Sequence, residues 1–228
     1  MPRTLLLEVI VQSIEDARAA AEGGADRLEV VRDIALAGLT PPVALVRAIA
    51  AETTLPLRVM VRENAGFGTD GKELVRLCRA AAEFANLGVD GLVVGFAREG
   101  QLLLNDLRAV LRAAPDTPAT FHRAFDSLNM PLRALDALAE VPQIDRVLTD
   151  GFSPVPEQRR SARLREYSDR AGARLTIIAG SAVDEEMLKE IASTRCVREV
   201  HVGRAARDGG QESPVTAARV RRLRAILD

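Results

Sequence analysis

The stretch Gly24-Ala25-Asp26-Arg27-Leu28-Glu29-Val30-Val31 decides the fold. A turn of small residues ends in Asp26, and the strand behind it puts Leu28 and Val30 on one side and Glu29 on the other. The turn recurs as Gly88-Val89-Asp90 before the run Leu92–Ala97, and as Gln143-Ile144-Asp145 before Arg146–Thr149. A turn repeated before even-numbered strands marks a chain built from two-unit blocks.

Working outward, eight strand-like runs cover the chain: Leu5–Val11, Arg27–Val31, Leu57–Arg62, Leu92–Ala97, Ala119–Phe125, Arg146–Thr149, Leu175–Ala179 and Glu199–Val202. A helical pattern follows each one. Ser13 with Asp16 reads as a capping box, and Gly23-Gly24 stops that helix. Asp70 with Glu73 reads as a second start, and Gly88 ends the helix. Ser213-Pro214 reads as the N-cap and first turn of the last helix. Eight strands, each followed by a helix, require a parallel sheet with crossovers. Spread over 228 residues, the units average about 28 residues each, compact for a closed barrel. The expected class is α/β: a (β/α)₈ barrel, one domain over residues 1–228. An open doubly wound sheet would need a glycine-rich turn after the first strand, and Gln12-Ser13-Ile14-Glu15 offers none.

Composition narrows the partners. The 31 basic and 32 acidic side chains nearly cancel, which argues against a nucleic-acid partner. The clusters Arg159, Arg160, Arg163, Arg165 and Arg219, Arg221, Arg222, Arg224 read as solvated helix faces. With no Trp and one Tyr there is no stacking platform for bases. No run reaches the ~18 apolar residues of a membrane span, so no membrane partner is expected. Cys78 and Cys196 lie far apart, so a cytoplasmic, disulfide-free protein is expected.

The outer face of such a barrel is covered by apolar helices, so polar strand residues should point inward. That places Glu8, Glu29, Arg62, His122 and His201 inside, with Leu7, Val9, Leu28, Val30, Val59, Phe121, Val200 and Val202 outside. Val93, Gly95 and Ala97 leave room near the rim. Arg27 and Arg58 lie early in their strands and are expected to plug the bottom. Arg62, His122 and His201 lie late, toward the end where barrels bind ligands.

The run Thr120-Phe121-His122-Arg123-Ala124-Phe125-Asp126 is the richest in chemistry, because a His, an Arg and an Asp at a strand end are costly to bury without a use. The enzyme reading makes His122 an acid/base, Arg62 and Arg204 anion clamps, and Asp126 a partner of Arg123. Glu8, Glu29 and His201 join as ligand-binding groups. Gly180-Ser181 after the seventh strand and Gly203-Arg204 after the eighth are candidate phosphate turns. The expected ligand is a small anion or a metal ion. His122, His201, Glu8 and Glu29 suit a divalent ion of intermediate hardness, whereas copper(I) prefers thiolates. Cys78 shares a helical stripe with Leu74, Leu77 and Ala81, and Cys196 lies at the wrong end of the barrel. The metal and cofactor are left open.

Several motifs resemble the copper homeostasis protein CutC family: Leu6-Leu7-Glu8-Val9, Gly24 to Glu29, Gly38-Leu39-Thr40-Pro41, Val59-Met60-Val61-Arg62, Asp90 to Gly95, Thr120 to Asp126 and Asp145 to Thr149. They run in the family's order over nearly the whole chain. The resemblance implies a TIM barrel, cytoplasmic, homo-oligomeric and linked to copper. The departures are specific. Family cysteines after the first Glu-Val and the second Glu-Leu are replaced here by Ile10 and Val31. The Pro-Arg-Gly-Gly run expected after Arg62 is Glu63-Asn64-Ala65-Gly66, and the Pro-Gly-Gly-Gly turn after the seventh strand is Ala179-Gly180-Ser181-Ala182.

Overall fold

A computed structural model describes residues 5–152 and 159–228. Eight parallel strands form a closed barrel: β1 (Leu6–Val11), β2 (Arg27–Val30), β3 (Leu57–Met60), β4 (Gly91–Val94), β5 (Ala119–Phe121), β6 (Ile144–Thr149), β7 (Thr176–Ala179) and β8 (Glu199–Val202). β1 closes the ring, with Glu8 opposite His201 on β8 and opposite Arg27 on β2. The helices are α1 (Ile14–Gly23), α2 (Val43–Glu52), α3 (Gly71–Asn86), α4 (Leu104–Arg112), α5 (Pro131–Ala139), α6 (Arg160–Ala171), α7 (Glu185–Thr194) and α8 (Ala217–Leu227). Among the described residues, no helix is long and apolar enough to cross a membrane.

Strand alternation places the side chains as expected. Leu7, Val9, Leu28, Val30, Val59, Phe121, Val200 and Val202 are buried in one core between sheet and helices. Each such side chain contributes roughly 1.5–3 kcal/mol by leaving water. Inside the barrel, Val31, Ile34, Met60 and Val93 form a separate small apolar cluster with Ile10 against it. Cys196 is buried in the main core ahead of β8, and Cys78 packs partly buried on α3.

The helix ends follow local chemistry. Ser13 Oγ accepts the Asp16 N–H at 3.0 Å, but the Asp16 carboxylate does not complete a box. It accepts the Gln12 N–H at 3.1 Å and the Val215 N–H at 2.8 Å instead, tying α1 to the far end of the chain. Asp70 and Glu73 do form a capping box. α8 begins later than Ser213-Pro214 suggests, with Thr216 as its N-cap. The intervening backbone is already in use: Arg207 and Val215 form a bridge, and the Thr216 N–H bonds to the Ala206 carbonyl.

Four strands stop short of their sequence limits, β2 by one residue at Val30, β3 by two at Met60, and β4 and β5 by more. β4 ends at Val94, and Ala97–Arg98 pairs antiparallel with Gln101–Leu102 in a small hairpin. Glu99 and Gly100, at φ 51° and 75°, make its turn. β5 ends at Phe121, because a 3₁₀ turn over Arg123–Ser127 starts at His122.

Candidate functional site

The barrel interior is layered. At the N-terminal end, Arg27 donates to Glu8 and, at 2.5 Å, to Glu199. Arg146 also reaches Glu199, at 2.9 Å. Arg58 grips Asp145 at 2.7 and 2.9 Å and Asp90 at 3.1 Å. Gly91 admits that guanidinium, since a Cβ there would lie 2.7 Å from Arg58 Cζ. These groups plug the bottom, as their early strand positions predict. The repeated turn aspartates 90 and 145 both serve this plug, while Asp26 accepts from the Leu7 N–H and from Arg224.

The middle layer is Glu8, His201 and Glu29. Nδ1 of His201 lies 2.7 Å from Glu8 Oε1, and Nε2 lies 3.3 Å from Glu29 Oε2. Burial pushes the Glu8 carboxyl up, but Arg27 and His201 outweigh it and hold it well below the usual carboxylate range. Burial would lower His201, but Glu29 and Glu8 outweigh it and raise it. Burial, reinforced by Glu8, pushes Glu29 up to about 7 even though His201 opposes it. The Oε1 atom of Glu29 is buried without a hydrogen-bond partner among the described residues.

Above lies an open cavity of about 1130 Å³ at the C-terminal face. Glu29, Arg62, His122, Arg123, Ser181, His201, Gly203 and Arg204 all line it. Ile10, Val31 and Met60 add an apolar wall. Glu8 and Gly180 are not on its surface. Glu8 sits below against Arg27. Gly180 is buried, and a Cβ there would meet Leu148 at 2.5 Å and the His201 ring at 3.3 Å.

His122 is held in one way. Its Nδ1 accepts the Ala124 N–H at 3.1 Å, capping the 3₁₀ turn, so a neutral ring carries its proton on Nε2. Nε2 is buried and has no partner among the described residues. Burial, with Arg62 and Arg123 nearby, lowers its pKa to about 3. In this arrangement His122 is placed as a neutral donor through Nε2 near neutrality. Phe67, half-buried on the loop after β3, covers it with ring centroids 5.6 Å apart.

Three other expected site groups are already engaged within the protein. Arg62 is not a free anion clamp. Its guanidinium donates to the carbonyls of Leu36, Ala37 and Gly38 at 3.1 Å, of Gly66 at 3.2 Å, and of Ala65. Asp126 does meet Arg123, at 3.2 Å, but it faces a small recess beside Tyr167 and not the main cavity. There it accepts Thr149 Oγ1 at 2.6 Å, and burial with Asp150 nearby raises it to about 6. In the Gly180-Ser181 turn one backbone N–H and three nearby carbonyls are already engaged. The Gly180 N–H bonds to Thr149, and Arg160 takes the Gly180, Ser181 and Ala182 carbonyls at 2.9–3.2 Å.

Sequence reasoning missed Arg160, Arg207 and Phe67. Arg207 donates to the Gly203 carbonyl at 2.7 Å and the Ile10 carbonyl at 3.0 Å, and pairs with Asp16 at 3.3 Å. With Arg62 and Arg160 it makes a set of arginines that hold the mouth loops by their carbonyl oxygens.

The sequence profile of the CutC family matches residues 5–206. The chain belongs to the CutC family. A CutC protein of Treponema denticola is 31% identical over 218 residues, covering 95% of this chain and 87% of its own. The human copper homeostasis protein cutC homolog is 30% identical over 210 residues, covering 91% and 76%. The crystal structure of a copper homeostasis protein CutC from Streptococcus agalactiae superimposes with a TM-score of 0.79 at 22% identity, covering 86% of this chain and 97% of that one. That likeness supports the barrel. Ile10 and Val31 line the cavity.

Proposed function

We propose that the cavity at the C-terminal face is the working site, and that it binds a small polar ligand carrying negative charge. The observation that carries this reading is His122 Nε2–H, a donor 3% exposed as a residue and without an acceptor among the described residues. A buried unpaired donor is costly unless something fills it. Burial, with Arg62 and Arg123 adding to it, keeps the imidazole neutral, and the two arginines bias the space toward an anionic oxygen.

Copper, which the family's name brings to mind, is tested by the donor set. Copper(I) favours thiolates. Here Ile10 and Val31 wall the cavity, Met60 packs with Val31, Ile34 and Val93, and both cysteines lie in or against the helix-side core. Copper(I) does not fit these residues.

A second reading, an enzyme acting on a small, phosphorylated or carboxylated metabolite, is favoured by one further observation. Glu29 Oε1 has no partner among the described residues either, so an acceptor and the His122 donor serve the same chamber. Such a pair can polarise a carbonyl while accepting a proton.

Thermal melts at constant ionic strength, with inorganic phosphate replacing chloride, test the site. Phosphate is expected to raise the midpoint of the wild type and of His122→Gln, whose amide still donates, but not of His122→Leu. No shift in the wild type, or an equal shift in His122→Leu, would overturn the reading.

A further inference from the structure

We propose that His201 and Glu29 are the protein ligands of a divalent cation of borderline hardness, zinc being the type case, and that Glu8 fixes His201 from behind. The inference rests on the middle layer alone and holds whether or not the cavity takes an anion.

The two nitrogens of His201 have different surroundings. Nδ1 meets Glu8 Oε1 at 2.7 Å, and Glu8 is itself anchored by Arg27. A carboxylate on one ring nitrogen is what orients a metal-binding imidazole and leaves the other nitrogen to ligate. That other nitrogen, Nε2, stands 3.3 Å from Glu29 Oε2. A charge-assisted N–H···O bond closes to about 2.7–2.9 Å, as the Nδ1 side does. Two ligand atoms each about 2.0–2.1 Å from one ion, at a tetrahedral angle, stand about 3.3–3.4 Å apart. The Nε2–Oε2 separation of 3.3 Å is therefore the one expected of two ligands on a shared ion.

Glu29 supplies the independent sign. The residue is 2% exposed, and its Oε1 has no partner among the described residues, so a second oxygen is available beside the first. The remaining coordination positions face the cavity, where water or a ligand can enter, the arrangement of an open site and not of a closed structural one. Carboxylate and imidazole select zinc, manganese or cobalt over copper(I). His122 cannot join them: with Nδ1 accepting from Ala124, its Nε2 carries a proton and has no lone pair to give. Gly180 belongs to the same device, since a side chain there would press on the His201 ring.

The test is titration of the full chain with zinc and with cobalt(II), in chloride buffer free of phosphate. One saturable site is expected at micromolar metal, with cobalt giving the visible absorption of a four- or five-coordinate ion. Glu29→Gln and His201→Gln are each expected to weaken binding at least tenfold, and Cys78→Ala with Cys196→Ser to leave it unchanged. Melts without metal establish that the Gln variants fold. Anomalous diffraction from zinc-soaked wild-type crystals supplies a measurement that needs no variant, with a peak expected about 2 Å from His201 Nε2. Absence of saturable binding, unchanged affinity in either Gln variant, or an ion located elsewhere overturns the proposal.

Discussion

Gly95 stands directly against His122: a Cβ built on it would lie 2.6 Å from Nδ1 of the imidazole. The ring can accept the Ala124 N–H only because β4 is followed by a residue with no side chain. Gly95→Ala is expected to push the ring off that bond and cost about 1–3 kcal/mol in urea denaturation. An alanine variant as stable as the wild type would mean that the ring has room to spare.

The fixed tautomer of His122 gives a spectroscopic expectation. Its nitrogen resonances should report a neutral ring, protonated on Nε2, throughout pH 5 to 8, since its pKa is about 3. A midpoint above pH 5 would contradict this geometry. The sign for stability follows. A histidine with a depressed folded pKa binds its proton first in the unfolded chain, so stability is lost as pH falls below about 6.5 toward 3.

Asp126 acts in the opposite sense. Its folded pKa is raised to about 6 from 3.8, so its contribution is fully present below about pH 4 and lost as pH rises to about 6. Relative to Asp126→Asn, the wild type should lose on the order of 2–3 kcal/mol between those limits. A stability difference that does not change with pH would show that Asp126 titrates normally.

Arg62 is expected to matter as a loop fastener. Arg62→Met removes its bonds to carbonyls in residues 36–38 and 65–66. Stability should fall by on the order of 2–4 kcal/mol, and amide exchange should accelerate in those two loops before the strands. Uniform acceleration across the barrel would instead make Arg62 an ordinary core residue.

Copper(I) affinity, measured against a competing chelator, should differ by less than tenfold between the wild type and Cys78→Ala with Cys196→Ser. Both cysteines lie away from the cavity, one on α3 and one ahead of β8. A larger loss would place a soft metal on the helix side.

The sequence carried the barrel because alternation with period two is visible one residue at a time. Leu28 and Glu29 could be assigned to opposite faces without any coordinates, and the plug formed by Arg27 and Arg58 followed from their early positions. What stayed hidden depends on backbone atoms. Many of the carbonyls that Arg62, Arg160 and Arg207 hold, those of residues 36–38, 180–182 and 10, come from loops distant in sequence, and carbonyls have no letter code. The short 3₁₀ turn that fixes the His122 ring was hidden for the same reason, because a strand reading of Ala119–Phe125 accounts for its apolar residues equally well. The neutrality of His122 depends on burial and two arginines, and only the folded arrangement brings these together.

The ionic plug also bears on how the chain reaches its native state. Arg27 finds Glu199 across 172 positions of sequence, and Arg58 finds Asp145 across 87. Each pair joins the first four strands to the last four. Each half alone keeps part of the network, Arg27 with Glu8 and Arg58 with Asp90 in the first and Arg146 with Glu199 and Asp145 in the last. Ring closure is the step that completes it and takes these charges out of water with their partners in place. The chain should fold in one late, cooperative event of high contact order, and separately expressed halves should gain order only when mixed.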